Sequence, residues 1–205
     1  QPMLQYRTFR NIDPPKIAAA WRSRMAQRGL MQPISVDLLE QAVFGRLYFD
    51  YEGLILAFDG DRAVGFAHAA FGPNDHSNGT NPSEGILSAL VVHPEYEQSE
   101  VPQELLARCE AYLQKRGAEV AWAGARWPKT PFYCGLYGGV EVPGVLESDP
   151  LHGLCPALGY EAVDRTLILR LNVATFRPRI DRQQMQCRRR LLVQVQRGVD
   201  GESVG

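Results

Sequence analysis

Apolar positions recur along this chain with two different periods, and the switches between them outline the expected elements. LQYRTF, residues 4–9, reads as a short opening strand. Asp13 followed by Pro14 and Pro15 marks a helix start, since proline is tolerated in a first turn, and the helix is expected to run to about Gly29. Ser35 is placed to cap a second helix over 36–49, where Val36, Leu39, Val43 and Leu47 recur at helical spacing. GLILAF at 53–58 and RAVGFAHAAF at 62–71 then read as mid-sheet strands, joined by Asp59-Gly60-Asp61 as a tight hairpin. The polar stretch 72–84 reads as a loop, and GILSALVVHP at 85–94 as a buried strand.

The helical period returns after residue 100. Val101, Leu105, Leu106, Cys109, Tyr112 and Leu113 share one face, Gln103, Glu104, Arg108, Glu110 and Lys115 the other, and Gly117 ends the helix. AEVAWAGA at 118–125 reads as a strand, so 85–125 forms a strand, helix, strand unit with parallel strands. RWPKTPFYCGLYGGVEVPG is expected as an ordered loop, 148–158 as a short helix, and Tyr160–Leu171 as the last strand or hairpin. The fold class is α/β, in the α+β sense of a mixed sheet with helices beside it.

With 205 residues and 45% hydrophobic content, the chain suits one globular body with an appendage. A net charge of -1 gives no reason to expect nucleic acid or a membrane as partner. The charge is unevenly spread: from Asn172 onward seven arginines face three acids, leaving 15 basic and 20 acidic residues before it. We therefore expect a body at 1–171 and a basic extension at 172–205. Cys109, Cys134, Cys155 and Cys187 show no C-x-x-C spacing, which argues against a disulfide framework or a zinc knuckle and fits a cytoplasmic protein. No apolar run approaches the about 18 residues of a membrane span.

The chemistry centres on VVHPEYEQSEVPQELL, residues 91–106, where a strand runs into a helix start. Such a junction leaves backbone N–H groups and the positive end of a helix facing outward. The element order, together with Leu90-x-Val92-x-Pro94 and the late Leu158-Gly159-Tyr160, resembles the GNAT superfamily of acyl-CoA N-acyltransferases over about residues 4–171. That resemblance implies a mixed, mostly antiparallel central sheet with a splayed parallel strand pair. It also implies acetyl-CoA as co-substrate, without a metal, and a small-molecule or peptide amine as acceptor. By the same resemblance Leu90, Val91 and Val92 pair with the pantetheine arm, and Gln98, Ser99, Val101 and Pro102 lie along the pyrophosphate loop.

The loop departs from the family pattern R/Q-x-x-G-x-G/A. Glu97 takes the Arg/Gln slot, Glu100 the first glycine slot and Pro102 the last. Pro102 removes an amide donor. A carboxylate about 6 Å from a phosphate costs roughly 3 kcal/mol at an effective dielectric of about 20. The plain structural alternative is that these acids simply favour a helix start.

Acetyl transfer needs a group to take the amine proton and one to protonate the thiolate. The resemblance points to Cys155, four residues before Gly159, for the thiolate, and to Glu84, just before the central strand, as a water-linked base. Tyr133 and Tyr137 are alternative hydroxyls near the expected mouth of the cleft, and His93 is a further proton carrier. A core cysteine, a solvated acid and packing tyrosines are the corresponding structural readings. His152 and Cys155 form an H-x-x-C pair too small for a metal site, and Trp122, Trp127 and Phe132 are candidate pocket walls. Two functions stand open: an N-acetyltransferase, or a catalytically lapsed GNAT-fold ligand-binding or scaffolding domain. RRRLLVQVQ in the tail resembles the first strand of a second GNAT-like unit in a tandem protein; the alternative is a basic arm for a homodimer or an acidic partner.

Overall fold

A computed structural model gives the fold. It describes residues 4–25, 29–124, 129–137, 145–147, 149–165, 167, 172, 174–175, 177, 182–183 and 185–186. The chain divides into two compact units, Gln1–Ile168 and Leu169–Gly205. In the second, Asn172 Oδ1 accepts from the Ala174 amide at 3.0 Å, and residues 182–183 and 185–186 are helical.

The first unit is built on a five-stranded sheet of Leu4–Thr8 (β1), Leu54–Asp59 (β2), Arg62–Pro73 (β3), Thr80–Val92 (β4) and Val120–Ala123 (β5), ordered as in the chain. The first four are antiparallel neighbours and β5 joins β4 in parallel, the mixed sheet expected from the sequence. Helices Pro14–Arg22 (α1) and Val36–Leu39 (α2) cover one face, against Leu54, Leu56, Phe58, Phe66, Ala89 and Val91. Helix Val101–Lys115 (α3) covers the other, against Ile55, Ala57, Ala67, Leu90 and Val92. With both faces buried, β2 and β3 read as continuous apolar runs. The apolar stripe of α3 is buried as its period predicts, each large side chain contributing about 1.5–3 kcal/mol.

Several boundaries differ from expectation for local reasons. The first helix stops at Arg22, where Ser23 Oγ turns back to donate to the Ala20 carbonyl at 2.6 Å. Ser35 does cap the second helix, accepting from the Leu38 amide at 3.1 Å, but α2 passes into a π turn at Glu40–Phe44 and ends before Gly45. The loop expected over 72–84 shrinks to 74–79, because β3 runs to Pro73 and β4 begins at Thr80. Neighbouring strands supply backbone partners there, while the polar side chains stay at the surface.

Of the expected short helix, Pro150–Leu154 (α4) and a 3₁₀ turn at Pro156–Leu158 form. Of the strand or hairpin expected over 160–171, residues 160–165 form no strand: Gly159, at φ +84°, turns the chain so that the Tyr160 amide donates to the Cys155 carbonyl at 2.9 Å. Residues 161–165 are then exposed and outside any strand, and Thr166 and 168–171 lie outside the described residues.

Candidate active site

The parallel pair separates part-way along its length. β5 pairs with β4 from Glu84 opposite Val120 to Leu87 opposite Ala123, and the Gly124 amide closes the ladder on the Leu87 carbonyl at 3.0 Å. β4 continues to Val92. The His93 amide donates to the Val64 carbonyl at 2.8 Å, so antiparallel alternation turns Val91 toward β3 and the backbone groups of Leu90 and Val92 toward the other edge. That edge is not covered by β5 among the described residues. A register slip beside it, with His68 opposite Ala89 but Ala69 opposite Leu87, leaves Ser88 as an extra residue. Such a bulge bends and twists its strand, which carries β4 away from β5.

Segment 129–137 lies along the bulge. Ser88 Oγ and Thr130 Oγ1 meet at 3.4 Å, and the Tyr133 amide donates to the Ala42 carbonyl at 3.0 Å. A Cβ on Gly72 would fall 1.6 Å from the Lys129 carbonyl oxygen, so only glycine permits this approach.

Beyond β4, Pro94–Tyr96 form a 3₁₀ turn fastened by the Tyr96 hydroxyl, which donates to Asp59 at 2.7 Å. The Ser99 amide donates to the Tyr96 carbonyl at 3.1 Å, and Ser99 Oγ accepts from the Val101 amide at 3.2 Å. No described residue accepts from the amides of Gln98 and Glu100, both of which are exposed. Of the expected pyrophosphate-loop residues, then, Gln98 offers a free amide, Ser99 and Val101 have theirs engaged, and Pro102 has none.

Three acids of this stretch are matched by cations, those of Glu95 and Glu97 lying far away in the sequence, whereas Glu100 forms no ion pair among the described residues. Glu95 pairs with Arg62 at 3.3 Å and Glu104 with Arg108 at 2.7 Å. Glu97 pairs with Arg24, which follows α1 and is 7% exposed. The Arg24 guanidinium also donates to the Val92 carbonyl at 2.9 Å, on the uncovered edge. The full carboxylate penalty expected at Glu97 is thus offset by a partner 73 residues away.

The three candidate catalytic residues do not converge. Glu84 sits where β5 begins its pairing and forms a close ion pair with Lys129, whose ammonium also lies 4.4 Å over the Trp122 ring. Tyr133 is fully buried on the α1 face, stacked on Trp21 at 6.0 Å, and burial pushes its hydroxyl well above the usual tyrosine range. Its backbone, at φ +58°, is strained for a non-glycine residue. Cys155 lies on the α3 face, its thiol raised by burial and then by the Glu110 charge. Tyr137 is also buried against Trp21. His93 meets Arg62 and Glu95, and burial, then the Arg62 charge, lower its imidazole. Trp127 lies outside the described residues. Among the described residues no group of three or more His, Cys, Asp or Glu is arranged to hold a metal.

The sequence also concealed His68. It is completely buried on β3 opposite the bulge, and neither ring nitrogen finds a partner among the described residues. Burial pushes its imidazole down to about 3, against a weaker upward pull from Asp50. Its ring contacts Phe49, Phe132 and Tyr133. Phe49 in turn lines an open cavity of about 690 Å³ together with Phe9, Glu40, Phe44 and Tyr51.

The Acetyltransferase (GNAT) family model matches residues 21–135, more than half of the chain. The chain belongs to the GNAT acetyltransferase family. A transcriptional regulator from Bacillus halodurans C-125 superposes on this GNAT chain with a TM-score of 0.54 at 15% identity, covering 82% of this chain and 99% of that one. The glucosamine N-acetyltransferase region of a fungal multi-domain GH3 β-N-acetylglucosaminidase gives a TM-score of 0.56 at 20% identity, over 77% of this chain and 16% of that one. At these identities the likeness is one of fold. A search of curated proteins found none that matches. No helix among the described residues is long and apolar enough to cross a membrane.

Proposed function

We propose that this GNAT chain transfers an acetyl group from acetyl-CoA to an amine, small molecule or peptide, at the uncovered edge of β4. The observation that carries this reading is that edge itself: among the described residues β5 stops short of Leu90 and Val92, whose backbone groups face away from β3, the Val92 carbonyl meeting Arg24, ahead of an α3 N-terminus with open amides at Gln98 and Glu100. The edge fits an amide-containing arm, as an added strand would, and the helix start fits a diphosphate. Acetyl-CoA would supply an acyl thioester there. Ser99 contributes by capping the Val101 amide at the start of α3, and Pro102 by fixing the first turn.

For proton transfer we assign the amine proton to Glu84, whose side chain is 35% exposed and so reaches water. Cys155, half-buried, is the remaining candidate donor to the thiolate, and Tyr133 is enclosed. For the acceptor we propose the α1 face, where the aromatic walls of the Phe49 cavity and the Glu40 carboxylate favour a cationic amine.

Titration calorimetry with acetyl-CoA tests the reading. Saturable binding supports it, and no heat at millimolar ligand overturns it. The rival is a lapsed GNAT module, favoured by the Arg24–Glu97 pair drawn against Val92 and by the missing amide at Pro102. If wild type fails to bind but the triple variant Glu97→Arg, Glu100→Gly, Pro102→Gly binds, the rival stands. We further propose that the basic stretch 172–205 is an extension separate from the body, so that limited proteolysis leaves a stable core ending near residue 171.

A further inference from the structure

We propose that Arg24 is the phosphate-binding cation of this chain, and that Glu97 latches it against the β4 edge until a diphosphate displaces the carboxylate. The inference rests on the acyl-CoA reading above. A guanidinium that is 7% exposed needs an anion, because an unpaired buried charge is among the most costly features a fold can carry. The two partners are unequally held. Arg24 is fixed from within by the Val92 carbonyl at 2.9 Å, whereas the Glu97 side chain is 31% exposed and belongs to a surface loop. The anion is therefore the exchangeable member of the pair. Planar guanidinium donors match a phosphate as well as a carboxylate, and a phosphate brings more charge.

The position gives the exchange its consequence. Val92 lies on the edge left uncovered by β5, and Glu97 immediately precedes Gln98, whose amide is open. While latched, the guanidinium takes the Val92 carbonyl that an arm pairing along the edge would meet. A diphosphate at the loop would take the place of the Glu97 carboxylate on the guanidinium and, by pulling the shared nitrogen toward the loop, loosen its bond to the Val92 carbonyl so that the arm could pair there. Cofactor recognition and opening of the edge are thereby one event.

The test is a double-substitution cycle read by calorimetry and by thermal unfolding, with CoA, inorganic diphosphate and acetyl-pantetheine as probes. Glu97→Gln is expected to tighten CoA and diphosphate about tenfold, with a larger rise in Tm on adding CoA than wild type shows. Acetyl-pantetheine, lacking phosphate, should gain much less. In an Arg24→Met background the Glu97→Gln gain should vanish. A gain that persists there means Glu97 merely repels phosphate, and the latch is refuted. If Arg24→Met does not fold, Arg24→Gln replaces it, and undiminished diphosphate affinity in that variant refutes the proposal equally. CoA binding that none of these substitutions alters defeats the latch alone, and no CoA binding by any variant defeats the acyl-CoA reading beneath it.

Discussion

The imidazole of His68 meets the ring of Phe132 edge to face, centroids 4.9 Å apart and planes at 60°, and neither of its nitrogens has a hydrogen-bonding partner among the described residues. Burial lowers its folded-state value to about 3, against about 6.5 when unfolded. The unfolded chain therefore takes up a proton that the fold refuses. The resulting stability is complete above about pH 6.5 and falls as the pH drops toward 3, by up to about 1.4 kcal/mol per pH unit. His93 adds a smaller contribution of the same sign. Urea unfolding at neutral pH and at about pH 5 should show this loss, and His68→Phe should flatten it. Equal slopes in the two proteins would exclude His68 as its source.

Asp13 ties the start of α1 to β1. Its buried carboxylate accepts from Arg7 at 2.6 and 2.7 Å and from the Arg10 amide at 2.7 Å. Burial alone would raise its pKa, but the hydrogen bonds from Arg7 and Arg10 and the charges of Arg7 and Lys16 outweigh it and hold the carboxyl below its usual range. That stability is present above about pH 4 and is lost as the pH falls through the depressed value. Asp13→Asn should cost about 2–4 kcal/mol at neutral pH, since Arg7 is partly exposed, and should lessen the acid-induced loss. A neutral-pH stability within error of wild type would rule out a structural role for the pair.

Gly72 tests how rigidly segment 129–137 is held against the bulge. A methyl group there collides with the Lys129 carbonyl rather than with a flexible side chain. Gly72→Ala should lose about 1–3 kcal/mol in urea unfolding. Gly153→Ala in α4, whose Cβ would meet nothing within 4 Å, should gain about 0.5–1 kcal/mol. If both variants behave alike, the close approach at Gly72 does not constrain the fold.

The central strands and α3 were legible because burial imposes a period. Asp59-Gly60 bounds two apolar runs, and every apolar position from Val101 to Leu113 that shares the expected face is buried. Residues 80–84 were not legible, because a strand that outruns the core keeps its backbone partners but loses its apolar signature. The site was legible only as a junction. Arg24 with Glu97, Ser88 with Thr130 and Glu84 with Lys129 are side-chain pairings between distant segments, and such pairs leave no local pattern. His68 was masked by the apolar run around it, where a lone imidazole among buried neighbours was the available signal.

Glu84 and Tyr133 give the proposed chemistry its sharpest contrast. The Glu84 carboxylate reaches water at the start of the β4–β5 pairing, while Tyr133 is buried with its ring against Trp21 and His68. If Glu84 receives the amine proton, Glu84→Gln should lower kcat about 100-fold or more while leaving acetyl-CoA affinity intact, because the edge and the loop are untouched. Tyr133→Phe removes only a hydroxyl that burial keeps protonated, so its kcat should stay within about threefold of wild type. The measurement is steady-state transfer to a panel of cationic amines, alongside calorimetry. Full turnover in Glu84→Gln, or collapse in a folded Tyr133→Phe, would reverse these two roles and move proton transfer to the α1 face.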